Sequence, residues 1–196
     1  MFTGLIKNIG KISAIDKSQG DLRLEIETDM NLKAVQIGAS ICCSGCCLTV
    51  VEKSEDSFSV DVSAETLSKT ILGSWQLKTR INLEPSLKVG DEMGGHFVSG
   101  HVDATTKILS IEPDGASRRI EIAIPDNLKK YIAAKGSITI NGISLTINDI
   151  DDTSFDVNII PHTWDNTTLS DSNIGDDVNI EIDMLARYVA RMIEVN

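Results

Sequence analysis

Nowhere does this sequence reach the run of about 18 apolar residues that a membrane-spanning helix requires. Residues Met1–Lys7 hold no basic region, no long apolar core and no small-residue cleavage site, so the expectation is a cytoplasmic chain with no membrane attachment. Basic residues are the minority, 18 Lys and Arg against 29 Asp and Glu for a net charge of −11, and they are scattered. No phosphate-binding stripe can form from them, which excludes nucleic acid as a partner. Cysteine is absent outside one hexapeptide, Cys42-Cys43-Ser44-Gly45-Cys46-Cys47. Thiols this close together cannot staple distant segments, and a reducing compartment disfavours disulfides as well. Helical periodicity is also scarce before residue 184.

What the sequence does have is one pattern written twice. Asn31-Leu32-Lys33 recurs as Asn127-Leu128-Lys129, Gly45-Cys46-Cys47-Leu48-Thr49 as Gly142-Ile143-Ser144-Leu145-Thr146, and Ile81-Asn82-Leu83-Glu84 as Val178-Asn179-Ile180-Glu181. The offset is 96 for the first pair and 97 for the others, so one residue is inserted between them. A period this long is a small domain rather than a solenoid unit. Two copies of one module invite two copies of one ligand.

Strand signals dominate both copies. Leu22, Leu24 and Ile26 alternate with polar residues, as do Ile120, Ile122 and Ile124, which fits strands with one face inward. Pro125 ends the second run. Asn141-Gly142, between Ile138-Thr139-Ile140 and Leu145-Thr146-Ile147, predicts a two-residue hairpin turn whose central positions both need φ > 0. Ser44-Gly45 is its weaker counterpart. Phe58–Val62 and Phe155–Ile159 form another matched pair of strands. The threefold spacing of Ile6, Ile9, Ile12 and Ile15 fits neither a strand nor a helix and, with Gly10, predicts a bulged strand. Several short strands per copy point to a small antiparallel sandwich or barrel, and closure into a barrel removes exposed edges. The final segment places Leu185, Val189, Met192 and Ile193 on one helical face, to pack on its own domain or to join subunits. The expected organisation is a first barrel over 1–97, a second over 98–183 and a terminal helix over 184–196. Lys88–Gly95 is the polar, glycine-rich join between the copies.

Cys43 and Cys46 have the spacing of a zinc half-site, yet the second copy has Thr139, Ile140, Ile143 and Ser144 at the four cysteine positions. That copy could bind no soft metal, so no metal is expected. Cys47 aligns with Ser144, a small thiol or hydroxyl before Leu-Thr in both copies; it is either a reactive group or a small buried hydrophobe. His96 and His101 lie among small residues in Gly94–Asp103, where backbone can approach a ligand and an imidazole can move protons near neutrality. Gly100 aligns with Gly4, so His101 replaces an apolar Leu5 and breaks the internal symmetry.

Met1-Phe2-Thr3-Gly4, Gly45–Val50, Gly94-Gly95-His96 through Ser99-Gly100-His101, and Gly142–Thr146 together resemble the riboflavin synthase family of the α-chain type. The resemblance covers nearly the whole chain. It implies an all-β fold of two six-stranded antiparallel Greek-key β-barrels and a C-terminal α-helix, assembled as a homotrimer. The implied reaction joins two molecules of 6,7-dimethyl-8-ribityllumazine by four-carbon transfer, without metal or cofactor, and gives riboflavin and 5-amino-6-(D-ribitylamino)uracil. The two lumazines would stack between the first barrel of one subunit and the second barrel of another, and lumazine synthase is a candidate partner.

Carried over by resemblance, the first pocket comprises Gly4, Leu5 and Ile6, Ser40, Cys47, Leu48 and Thr49, Asp61, Val62, Ser63, Ala64, Glu65 and Thr66, and Gly100, His101 and Val102. The second comprises Lys135, Ser144, Leu145 and Thr146, and Ile160, Pro161, His162, Thr163 and Trp164. His96 and Asn141 complete the binding set, Asn141 standing where some members carry Asp. Within this resemblance His101 is the candidate proton carrier, and Cys47 or Ser40 the group that activates or adds to the acceptor. Asp183 and Ser144 polarise the other ring, and water is an alternative nucleophile. The alternative reading is a non-catalytic lumazine- or flavin-binding antenna protein of the same fold.

Overall fold

The computed structural model describes residues 1–17 and 22–195. Twelve strands close into two antiparallel barrels. The first contains β1 (Asn8–Asp16), β2 (Leu22–Glu27), β3 (Ser40–Cys43), β4 (Cys46–Lys53), β5 (Ser57–Val62) and β6 (Arg80–Pro85), in the cyclic order β1-β2-β5-β4-β3-β6. The second contains β7 (Ala104–Asp114), β8 (Ser117–Ala123), β9 (Ser137–Ile140), β10 (Ile143–Ile150), β11 (Ser154–Ile159) and β12 (Asp177–Ile182). Its strands follow the same order, so the duplication in the sequence is a duplication of topology. Short helices α1 (Ala64–Lys69) and α2 (Pro161–Asp165) cross to the last strand of each barrel.

Period-2 alternation fills each core. Leu24 and Ile26 of β2, and Ile120 and Ile122 of β8, are almost wholly buried while their polar neighbours face outward. In β1 the register slips between Ile12 and Ala14, which is the bulge that the spacing of isoleucines predicts. Ile12 and Ile15 flank it and pack on the first core. Both hairpin turns adopt the expected geometry, with φ of 44° and 92° at Ser44 and Gly45 and of 46° and 80° at Asn141 and Gly142.

The two turns abut, since a Cβ placed on Gly142 would lie 2.8 Å from the Gly45 nitrogen. Around them the barrels exchange buried amide bonds. Asn82 Nδ2 donates to the Asn141 carbonyl at 2.9 Å, and Asn179 Nδ2 donates to the Ser44 carbonyl at 2.8 Å. Each asparagine also accepts from the opposite half, Asn82 Oδ1 from Thr168 N–H and Asn179 Oδ1 from Ile71 N–H. The Asn141 side chain is spent here as well, accepting from the Asn179 N–H at 2.8 Å.

Ahead of each barrel runs an arm, and the arms are exchanged. Gly4 O accepts from Ser144 N–H on β10, and Ile6 packs against the second core; Gly100 O accepts from Cys47 N–H on β4, and Val102 packs against the first. Phe2 and Val98 pair where the arms pass. Gly4–Ile6 therefore lie on the second barrel, not in the first pocket where the resemblance put them. Glycine is required at both crossings: φ is +76° at Gly4 and +77° at Gly100, and an added Cβ would come within 2.6 Å of Ser144 Cβ or 2.7 Å of Cys47 Cβ.

A buried carboxylate holds each arm. Glu84 accepts from Thr3 N–H at 2.8 Å, Thr3 Oγ1 at 2.6 Å and Gly4 N–H at 2.9 Å. Glu181 accepts from Ser99 N–H at 2.8 Å, Ser99 Oγ at 2.6 Å, Gly100 N–H at 3.0 Å and His101 N–H at 3.1 Å.

The chain ends in α3 (Met184–Val195), started by Asp183, whose carboxylate accepts from Leu185 N–H at 2.8 Å. Arg187 pairs with Asp103 at 2.7 Å, and Lys130 pairs with Glu194. The apolar face of α3 does not settle on its own barrel, because Leu185, Val189, Met192 and Ile193 are 56–72% exposed.

Candidate active site

Strand β4 turns Leu48 into the barrel, where it is buried, and leaves Cys47 and Thr49 on the outer wall. Ser40 sits opposite Thr49 on β3, and the arm Gly100–Val102 lies along β4 through the Cys47 bond. At the end of β5, Ser63 caps α1 by accepting from Thr66 N–H at 3.2 Å. Thr70 Oγ1 then donates to the Thr66 carbonyl at 2.7 Å, as Thr167 Oγ1 does to Thr163 at 2.8 Å. Of the remaining residues expected here, Ala64 and Glu65 are exposed on α1 while Val62 is buried in the barrel. Asp61 is not a free carboxylate. Arg23 binds it through two hydrogen bonds of 2.7 and 3.0 Å and holds its carboxyl below the usual range. The His101 amide is tied to Glu181, but its imidazole is exposed and makes no hydrogen bond among the described residues.

The second wall is built from equivalent parts. Ser144 and Thr146 lie on β10, with Leu145 packed against the second core and Gly4–Ile6 alongside in the place of Gly100–Val102. Lys135 holds a left-handed turn at φ 65°, its N–H donating to Ile147 O. Ile160 and His162 are exposed around Pro161, the first residue of α2, and Trp164 packs on the core beneath Arg118, 4.7 Å from the ring centre.

On the second wall lies a polar contact without a counterpart among the described residues of the first half. His96 reaches Ser144 Oγ with Nδ1 at 2.7 Å and Thr139 Oγ1 with Nε2 at 3.1 Å. Burial pushes the imidazole below its ordinary pKa, and the nearby Asp183 carboxylate opposes this only in part. Neutral imidazole has one donor and one acceptor nitrogen, so one hydroxyl donates to the ring while the other accepts from it. His96, Ser144, Thr139 and Asp183 thus form one polar group, whereas Asn141 stands apart in the contact between barrels.

The four thiols do not converge on a common point. Cys43 and Cys46 join the first core, while Cys42 lies outside it with Phe2 and Val98, Cys47 packing against them. No cluster of three or more metal-ligating side chains occurs among the described residues.

Sequence reasoning gave no role to Asn82, Glu84, Asn179, Glu181 or Thr139. The signal for the first four was present, since each is a polar residue repeated at the same offset inside an otherwise apolar strand.

Comparison with known proteins matches the lumazine binding domain to residues 3–86 and again to residues 99–183. The chain belongs to the lumazine binding domain family. Among similar members of the lumazine binding family is a riboflavin synthase of Brucella abortus (strain 2308), 45% identical, with 99% of this chain and 98% of that one covered. Another is the riboflavin synthase of Photobacterium phosphoreum, 41% identical with coverage of 100% and 90%, and that of Bacillus subtilis (strain 168) is 38% identical with coverage of 98% and 90%. Among solved structures, LumP complexed with riboflavin superposes with a TM-score of 0.86 at 27% identity, over 93% of this chain and 99% of LumP. LumP complexed with 6,7-dimethyl-8-(1'-D-ribityl) lumazine gives 0.83 with the same identity and coverage.

Proposed function

We propose that this lumazine binding protein is a riboflavin synthase, a transferase acting on two molecules of 6,7-dimethyl-8-ribityllumazine. Four carbons pass from one molecule to the other, giving riboflavin and 5-amino-6-(D-ribitylamino)uracil. The two products together contain every atom of the two substrates, so the reaction balances without an oxidant or reductant. The observation that carries the reading is the full-length kinship to riboflavin synthases at up to 45% identity, in a chain with polar residues on both equivalent walls.

The chemistry follows from the substrate. The C7 methyl group of the lumazine is acidic because its carbanion delocalises into the ring, so loss of a proton makes one molecule a nucleophile. The other becomes an electrophile when a nucleophile adds at its C7. On the first wall the open His101 imidazole takes the methyl proton, with Cys47, Thr49 and Ser40 around the ring. On the second, Ser144, backed by His96, hydrogen-bonds the other ring or the water that adds to it, and Asp183 steadies the polarised group. Holding two rings in a fixed mutual orientation supplies about 7–11 kcal/mol of the barrier.

The shared site requires more than one copy of the chain. The exposed apolar face of α3 is the surface that we assign to assembly, as a homotrimer in the cytoplasm. Removing residues 184–196 is expected to reduce the particle to a monomer in sedimentation. Turnover should fall by about a hundredfold, the scale set by misplacing reacting groups. A fully active monomer contradicts a site shared between subunits.

Incubation of the purified protein with 6,7-dimethyl-8-ribityllumazine tests the whole reading. One riboflavin should form for every two lumazines consumed. Tight fluorescent binding with no product would place the protein among binders of the antenna kind instead.

A further inference from the structure

The β3–β4 hairpin sets Cys43 opposite Cys46 and Cys42 opposite Cys47. The inner pair faces the barrel core; the outer pair lies on the outside, beneath Phe2 and Val98. The Cys47 N–H donates to Gly100 O at 2.8 Å, so it points away from Cys42. Cys42 and Cys47 are therefore a non-hydrogen-bonded cross-strand pair, whose Cα atoms stand about 4.5 Å apart. That separation lies within the span of roughly 4.4–6.8 Å that a disulfide bridges. In the second copy Thr139 and Ser144 occupy the same two places, so the module folds without sulfur at either. Cys42 is 1% exposed, whereas Cys47 is half-buried on the wall of the candidate site.

We propose that Cys42 and Cys47 form a reversible thiol oxidation site, at which a hydroperoxide closes a cross-strand disulfide and draws the Cys47 sulfur out of the substrate pocket. The effect on the pocket rests on the functional reading above, while formation of the bond does not. In the first step the Cys47 thiolate attacks a peroxide oxygen, the O–O bond breaks, and the departing hydroxide leaves as water with the proton that Cys47 has lost. In the second, the Cys42 sulfur attacks the resulting sulfenic acid, the S–O bond breaks, and the released hydroxide takes the Cys42 proton as a second water. Two thiols and one hydrogen peroxide become one disulfide and two waters. Burial pushes the Cys42 thiol well up, so it does not compete with Cys47 for the peroxide; it takes the second step because the pairing holds it against the Cys47 sulfur. Cys43 and Cys46 are enclosed in the core, where peroxide has no access.

The test treats the full chain with hydrogen peroxide, removes the peroxide, unfolds the chain in denaturant to alkylate the remaining thiols and reads the intact mass. No Lys or Arg lies between Lys33 and Lys53, so all four cysteines share one tryptic peptide and the bond is located by fragmentation. The expected result is loss of two hydrogens, a Cys42–Cys47 bond and label on Cys43 and Cys46, all reversed by dithiothreitol, with synthase turnover falling and returning in step. In Cys42→Ala, Cys47 should instead gain oxygen that dithiothreitol does not remove once the sulfinic acid forms. A Cys43–Cys46 bond, or oxygen accumulating on Cys47 of the unaltered chain, overturns the proposal. So does a Cys42–Cys47 bond that leaves turnover undiminished. If the chain makes no riboflavin, bond mapping still decides whether the thiol site exists. If Cys42→Ala does not fold, mapping of the unaltered chain decides alone.

Discussion

Replacing His96 by alanine is expected to lower turnover by about 10²-fold, the scale for misplacing a group at the reacting centre. His96 acts through Ser144, with Nδ1 at 2.7 Å from its hydroxyl, and is therefore a positioning residue. A structural role alone could also reduce activity, so the pH profile is the discriminating measurement. Burial lowers the pKa of His96, which leaves the imidazole neutral at neutral pH and protonated only in more acid solution. Turnover should accordingly fall as pH drops through that lowered pKa, and this limb should vanish in His96→Gln. Stability carries the same sign. Between the folded pKa and the ordinary value of about 6.5, the unfolded chain binds more protons than the folded one. The contribution of His96 is therefore present at higher pH and is lost as pH falls through its folded value. A His96→Gln variant that keeps both its turnover and an unaltered acid limb contradicts the role.

Glu181→Ala should be the most destabilising single change outside the hydrophobic cores. The carboxylate is 2% exposed and accepts from Ser99 N–H, Ser99 Oγ, Gly100 N–H and His101 N–H. Each buried donor left without a partner costs roughly 1–3 kcal/mol, and water entering the gap recovers part of it. A net loss of about 4 kcal/mol is expected, lowering Tm by roughly 10 °C for a chain of this length. Activity should fall too, because the same bonds aim Gly100 and His101 along β4. Glu84→Ala, which frees the two Thr3 donors and Gly4 N–H, should cost less. Thermal and urea unfolding of the two variants side by side measures the difference. A loss below about 1 kcal/mol for Glu181→Ala would mean that the arm is held by its packing and not by the carboxylate.

Local chemistry made much of the fold readable in the sequence. Asn141-Gly142 and Ser44-Gly45 announce their turns because few residue pairs tolerate two successive positive φ values. The alternation of Leu22, Leu24 and Ile26 announces a strand because its period is that of the pleat. The isoleucines of β1 were half legible: their spacing revealed the bulge, but no periodicity can tell that Ile6 leaves the first barrel for the second. Exchange of the arms is decided by contacts between residues far apart in sequence, Cys47 with Gly100 and Gly4 with Ser144, and local pattern carries no trace of them. The bonds of Asn141 are hidden from local pattern for a similar reason. The resemblance makes this residue a ligand contact, whereas its carbonyl accepts from Asn82 across the barrels and its amide oxygen accepts from Asn179 N–H within its own barrel. His96 and Ser144 were each singled out, but their hydrogen bond spans 48 residues and appears only in the fold.

The crossing of the arms bears on how this protein emerges from the ribosome. When residue 85 has been made, every strand of the first barrel exists, yet Cys47 N–H still awaits Gly100, and Gly4 and Ile6 await a barrel not yet translated. The leading half of the nascent chain must therefore wait with an unfinished outer wall and a loose amino-terminal tail until its successor arrives. Synonymous codons that slow translation shortly after residue 85 should lengthen that exposed interval and lower the yield of intact protein.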